Sequence, residues 1–369
     1  MSIRILDSFG PRPDEESLYL NAISSFQSSD CNIVGVNHRK KLDITRAWSP
    51  FELDTLYRQK NAKLLRWYDE VWESCDDFDV LIVNHENPYH PDFISRLSEK
   101  IYTVLYTGDD PEASYLCSQP YAWAFDHVQC YAVYYDAATP MKEKLMSWGA
   151  KRASHRAHGF MPHRVGLKED VIASVRSGRD IDLIYVGGPY NKVDSLLKLK
   201  KHFGANFKIY GAWGGVRASL ARYKRYGVFT NIKPISDRDL LSIYTRSKLG
   251  INMHMSFGPS NLRMWELPIN GVAQVTDNPT GTALLWDVDS EIACYANDNI
   301  DEAIEKIEFY LCNDENRIEM AIRGYDKAKA YYSFESCFLR GLSDIKLGMD
   351  EKNAKLGEKQ SSLWALQEI

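Results

Sequence analysis

Short apolar runs alternate with longer segments of helical period along most of the chain. The first run, 3–8 (IRILDS), breaks at Gly10-Pro11, as a strand ending in a loop does. A helix over 15–25 is predicted next, then a strand at 32–36, one long Leu/Trp/Tyr-patterned helix over 50–74, and a strand at 79–84 (DVLIVN). Apolar runs at 102–106 and 128–135 and a helix near 141–148 continue the rhythm. Strands separated by helices predict a parallel sheet wrapped on both faces, so 1–163 reads as one doubly wound unit.

After Gly159-Phe160-Met161-Pro162 the pattern restarts. Strands are predicted at 181–186, 207–211, 249–253 and 272–276, with helices over 192–202, 236–247, from 261, 301–311 and 315–332. Residues 164–332 therefore read as a second unit of the same class, and 333–369 as a helix with a polar, frayed tail.

Composition narrows the partners more than the fold. With 44% hydrophobic and 26% charged residues the 369-residue chain is globular. Lys plus Arg number 45 against 50 Asp plus Glu, a net charge of −5, without the basic excess of a nucleic-acid binder. The seven cysteines are scattered and show no CxxC spacing, which fits a reducing cytoplasm better than a disulfide framework or a zinc ribbon. No stretch approaches the roughly 18 apolar residues of a membrane span. A cytoplasmic protein is expected, with peripheral membrane association not indicated.

In parallel sheets ligands sit beyond the carboxyl ends of the strands, so the loops there hold the candidate chemistry. There is no GxGxxG after the first strand and no GxxxxGK[ST] anywhere, which weakens dehydrogenase and ATPase readings. Gly187 and Gly188 follow the strand 181–186 and suit either close backbone approach to a ligand or a plain tight turn. The stretch GPSNLRMWELPINGVAQVTD (258–277) is more specific. Ser260 or Asn261 can cap a helix whose free N–H groups face a diphosphate, and Arg263 can add a charge-assisted contact. Glu266 then lies about one and a half turns in, a carboxylate able to accept two ribose hydroxyls, and the next strand delivers Asp277 and the turn at 278–281 to the same edge.

The segment NLRMWELPINGVAQVTD, followed by SEIACYANDNIDEAIEKIEFYLCNDENRIEMAIRGYDKA, resembles the donor-binding half of GT-B glycosyltransferases. It is most similar to the CgeB-like group of glycosyl transferases group 1 domains, over roughly 180–332. In the first half YTGDDPEAS (106–114) and FDHV (125–128) are similar to that group's Asp-Asp loop and FD strand. The resemblance implies two Rossmann-like domains, an acceptor-binding one over 1–163 and a nucleotide-sugar-binding one over 164–332. It also implies that Asn261, Arg263 and Glu266 line the donor site, Glu266 holding the ribose and the helix start the phosphates; Ser260, Leu262 and Thr280 are further candidates for that site. Where many retaining members carry a further Glu eight residues before Glu266, this chain has Gly258, which leaves sugar identity and stereochemical outcome open.

A basic concentration supports the donor side. Nine Lys/Arg lie in 190–226 against one acid, Asp194. Lys198, Lys200 and Lys201 read as solvated helix surface, whereas Arg217, Arg222 and Lys224 follow a strand and can reach a phosphate; Trp213 can stack on a base or pack in the core. In the first half Asp109 and Asp110 follow the strand 102–106 and suit a general base, a metal pair or a helix cap, and His85 with Glu86 is a second candidate for the base. The Asp287-Val288-Asp289 triplet reads as a polar turn.

The expected activity is metal-independent transfer of a sugar from a nucleotide-diphosphate sugar to a hydroxyl of a glycan, lipid-linked glycan or small molecule, without a cofactor. The alternatives are a GT-B-fold nucleotide-sugar epimerase and a non-catalytic nucleotide-sugar-binding protein.

Overall fold

The computed structural model describes residues 3–9, 31–43, 48–84, 88–107, 129–135, 141–188, 192–211, 224, 235–254 and 261–367. The chain divides into two units, residues 1–156 with 338–369, and residues 157–337. It therefore passes between them twice, at 156/157 and at 337/338, where the sequence pattern had suggested 163/164 and 332/333.

The first unit carries a six-stranded parallel sheet in the order β2-β1-β3-β4-β5-β6, with β1 Ile3–Phe9, β2 Cys31–Asn37, β3 Val80–Asn84, β4 Tyr102–Thr107, β5 Ala132–Tyr135 and β6 Arg152–His155. Its described helices are α1 His38–Leu42, α2 Pro50–Arg58, α3 Ala62–Ser74, α4 Pro91–Lys100 and α5 Met141–Ser147. The single helix expected over 50–74 is two. Lys60 adopts a left-handed φ of 52°, and Asn61 accepts the amides of Lys63 and Leu64 to start a fresh helix. Ser49 and Glu52 form a reciprocal capping box ahead of α2. The apolar faces of α3 and α4 bury Leu64, Trp67, Tyr68, Val71, Phe93, Ile94 and Leu97 against Leu81, Val83 and Leu105 of the sheet.

The second unit is a five-stranded parallel sheet ordered β11-β10-β9-β7-β8, from β7 Ile181–Val186, β8 Phe207–Tyr210, β9 Ser247–Asn252, β10 Ala273–Thr276 and β11 Ala293–Cys294. Around it lie α6 Lys168–Ser177, α7 Val193–Phe203, α8 Asp237–Arg246, α9 Leu262–Ile269, the short α10 Pro279–Thr282, α11 Ile300–Cys312 and α12 Asp314–Tyr331. Because β7 pairs with β8 on one side and β9 on the other, the direction of winding reverses between β7 and β9. That switch point leaves a crevice at the strands' carboxyl ends.

The last helix, α13 Phe334–Gln367, replaces the frayed tail that the polar sequence suggested. From residue 338 it belongs to the first unit, and its charged positions have partners there. Arg152 donates to Asp344 from Nε at 3.0 Å and to Glu351 at 2.8 Å, while Lys352 donates to the carbonyls of Ser98 and Ile101, each at 3.2 Å. No helix among the described residues is long and apolar enough to cross a membrane.

Candidate functional site

The carboxyl ends of β7 and β9 are joined by one side chain from α9. Arg263 donates from Nε to Asn252 Oδ1 at 3.0 Å, from Nη1 to the carbonyl of Val186, and from Nη2 to the carbonyl of Met253 at 3.1 Å. Its guanidinium lies over the Tyr185 ring, 4.5 Å from the centroid. Arg263 thus spans the topological switch point. Three of its five N–H groups bond the strand ends, which fixes at the switch point the guanidinium expected to add a charge-assisted contact.

Gly187 makes this bridge sterically possible. Its φ is 142°, its amide donates to the Tyr210 carbonyl at 2.9 Å, and a Cβ there would lie 2.1 Å from Arg263 Nη1. Gly187→Ala is therefore expected to displace the guanidinium and strain the backbone, at a cost of about 1–3 kcal/mol. Calorimetry should record a melting temperature about 2–12 °C lower, together with weaker nucleotide binding; an unchanged melting temperature and affinity would show that the Arg263 bridge is dispensable. Gly188 contributes its carbonyl, which accepts from Tyr185 Oη at 2.7 Å.

Asn261 is the N-cap of α9, accepting the Met264 amide at 3.2 Å, while its Nδ2 donates to Asn252 Oδ1 at 2.8 Å. Leu262 is the first helical residue and is partly exposed. The Met253 carbonyl is the focus of the crevice. It accepts from the ammonium of Lys192, at the start of α7, from Arg263 Nη2 at 3.1 Å and from Asn261 Nδ2 at 3.4 Å. Lys192 is only 7% exposed. Burial, reinforced by Arg263 and opposed by Asp277, pushes its pKa down to about 7.

The next strand end closes the arrangement. Asp277 accepts the His254 amide at 2.9 Å and the His254 ring Nδ1, so backbone and imidazole of residue 254 are held by one carboxylate. Two donors fix Asn252 Oδ1, which turns Asn252 Nδ2 toward His254 Nε2 at 3.4 Å and leaves the ring proton on Nδ1, facing Asp277. Asn278 adopts φ 59° and caps α10, on which Thr280 is exposed.

Glu266 stands on α9 where the pattern predicts it, but its surroundings differ from those of a free carboxylate. It is 3% exposed, with Oε1 accepting from Arg164 Nη1 at 2.7 Å and Oε2 from Tyr244 Oη at 3.1 Å. Burial, reinforced by the neighbouring Glu266, holds the Tyr244 phenol well above its usual pKa. The carboxylate has about four acceptor positions, so two remain for hydroxyl donors.

Lys224 is exposed, with its neighbours in sequence beyond the described residues. Trp213, Arg217, Arg222 and Ser260 of the expected donor set, and His85, Asp109 and Asp110 of the expected catalytic set, also lie outside the described residues. Among the described residues of the first unit, the carboxyl ends of β1 and β2 carry a buried polar chain. Tyr89 Oη donates to Ser8 Oγ at 2.9 Å, and Ser8 stands 3.2 Å from His38 Nδ1. Burial pushes the His38 pKa down to about 3, so the ring is neutral. No group of three His, Cys, Asp or Glu suited to a metal occurs among the described residues.

Lys192, His254 and Arg164 are the parts that sequence reasoning missed, and Asp277 was expected at this edge without its partner. Lys192 was visible only as one of nine cations, and the others carry no motif; the spacing of His254 and Asp277 acquires meaning once β9 and β10 are adjacent.

Residues 193–338 match the glycosyl transferase-like family. No curated protein matches the chain. Among solved structures, sucrose-phosphate synthase from Thermosynechococcus elongatus superposes with a TM-score of 0.62 at 10% identity, over 99% of this chain and 100% of that one. Anabaena HepE in complex with UDP and glucose gives 0.62 at 10% identity, over 93% and 99%. A glycosyltransferase from Rickettsia africae gives 0.58 at 12% identity, over 94% and 99%. With its two parallel-sheet units the chain has the fold of GT-B glycosyltransferases, and the stretch that matches the glycosyl transferase-like family lies in the second unit and the first residue beyond it.

Proposed function

We propose that the protein is a glycosyltransferase that moves a sugar from a nucleotide-diphosphate sugar to an acceptor hydroxyl, with the donor held by the second unit. One observation carries the reading: Lys192, Arg263 and Asn261 converge on the Met253 carbonyl at the switch point, beside the start of α9. A single carbonyl cannot satisfy that many donors, whereas a diphosphate supplies acceptors and the opposite charge. The HepE complexes, which hold UDP and UDP-glucose on the same fold, support this choice of ligand.

The chemistry follows from charge. As the bond from sugar to diphosphate breaks, negative charge grows on the leaving phosphate, and donors already oriented toward it stabilise that charge without reorganising. The Lys192 ammonium, the Arg263 guanidinium and the free amides at the start of α9 supply the donors and positive potential. We assign the leaving group to these residues without a metal. The acceptor, a glycan, a lipid-linked glycan or a small molecule, belongs to the first unit, and the cytoplasm is the compartment that holds nucleotide sugars.

Incubation with a panel of nucleotide sugars, followed by thermal-shift and product-mass measurements with candidate acceptors, tests the reading. Stabilisation by at least one donor and a product heavier than the acceptor by one sugar are expected, with turnover persisting in excess EDTA. Absence of any donor-induced shift would overturn the site, and activity lost in EDTA and restored by magnesium or manganese would overturn the metal-free assignment.

A further inference from the structure

The Arg164–Glu266 pair is unusual for its cost. A carboxylate whose side chain is 4% exposed has lost nearly all its water, and the guanidinium that faces it is itself 22% exposed. Two apolar side chains would fill such a place at least as stably, because desolvation takes back much of what a buried ion pair gains. The arrangement does something an apolar pair cannot: it fixes a carboxylate with acceptor positions to spare one turn after Arg263 on the same helix face. The guanidinium is placed by more than the pair. Asn270 Nδ2 donates to the main-chain carbonyls of Arg164 and Glu266, each at 2.9 Å, and its Oδ1 accepts the Gly166 amide at 3.2 Å. The turn at 162–164 is thereby pinned to α9, and Arg164 meets Glu266 from a fixed backbone.

We propose that Arg164 is a positioning residue for the nucleotide's ribose, holding the Glu266 carboxylate in an orientation in which its remaining acceptor positions receive the ribose hydroxyls. The inference rests on the reading of the second unit as the donor site. Arg164 and Tyr244 are the two groups bonded to the Glu266 carboxylate. Arg263 lies on the same helix, and Arg179 is spent on the main-chain carbonyls of Tyr244, Ser247 and Asn270 and on the Ser174 hydroxyl.

The test is calorimetric titration of wild type, Arg164→Met, Arg164→Lys, Tyr244→Phe and Glu266→Gln at one pH, using whichever of UDP, GDP and ADP binds wild type most tightly and, beside it, its 2′,3′-dideoxy analogue. Arg164→Met should raise Kd for the ribonucleotide about tenfold or more and leave Kd for the dideoxy analogue near that of wild type. Arg164→Lys should fall in between, and Tyr244→Phe should show a weaker form of the same selectivity if Arg164→Met does not fold. A purely structural role predicts equal losses for the two ligands, and that result, or unchanged affinity in the Arg164 variants, overturns the proposal while Glu266→Gln still binds the ribonucleotide weakly. If Glu266→Gln binds as tightly as wild type, the ribose assignment itself fails and the proposal with it.

Discussion

Glu266→Ala is expected to weaken the folded protein as well as its nucleotide binding. The carboxylate is buried and bonded to Arg164 and Tyr244. Removing it leaves a partly buried guanidinium and a phenol without their acceptor, and breaking a fully buried ion pair from one side costs about 3–5 kcal/mol. Since Arg164 retains some water, about 2–4 kcal/mol is the fitting range, a fall in melting temperature of about 4–16 °C for a unit of this size. The lost charged hydrogen bond to ribose adds about tenfold or more in Kd. Scanning calorimetry without ligand and titration with a nucleoside diphosphate separate the two effects. A variant that melts like wild type would contradict the geometry of the pair, and one that binds like wild type would remove Glu266 from the site.

That expectation shows what the residue pattern conceals. Reading GPSNLRMWELPINGVAQVTD as cap, helix, break and strand places Asn261 and Glu266 on their elements, because caps, prolines and apolar periods act over a few residues. Nothing local announces that Glu266 meets an arginine 102 positions earlier. The same limit applies to strands. The apolar runs that become β1, β3, β4, β7 and β9 are legible since both faces of a parallel sheet are buried. The edge strand β6, Arg-Ala-Ser-His, has no such signature and is recruited by pairing with β5. Helix α4 is masked by the turn-rich approach Pro88-Tyr89-His90-Pro91, in which the His90 ring caps the helix and stacks on Tyr57 at 3.8 Å. Lys192 is the sharpest case. Among the described residues of that basic set it is the buried one, and only the strand order puts it opposite Arg263.

Burial of Lys192 makes nucleotide-sugar binding depend on pH in a defined direction. Its pKa near 7 means that the free protein carries a neutral amine above that pH, whereas a diphosphate is held best by the ammonium. Binding then takes up a proton, so affinity is full below pH 7 and falls as pH rises, approaching tenfold per unit until the bound lysine's own, higher pKa is reached. A nucleotide sugar is the right probe, since its diphosphate diester does not titrate in this range while the terminal phosphate of a free nucleotide does. Lys192→Met should lose a charge-assisted contact worth about 1.5–3 kcal/mol, roughly ten- to a hundredfold in Kd at pH 6.5, and the gap to wild type should close toward pH 9. Lys192→Arg should bind across the range with a flat profile, because guanidinium keeps its charge. A slope that persists in Lys192→Met would assign the proton elsewhere in the crevice, with His254, bonded to Asp277, as the group to replace next.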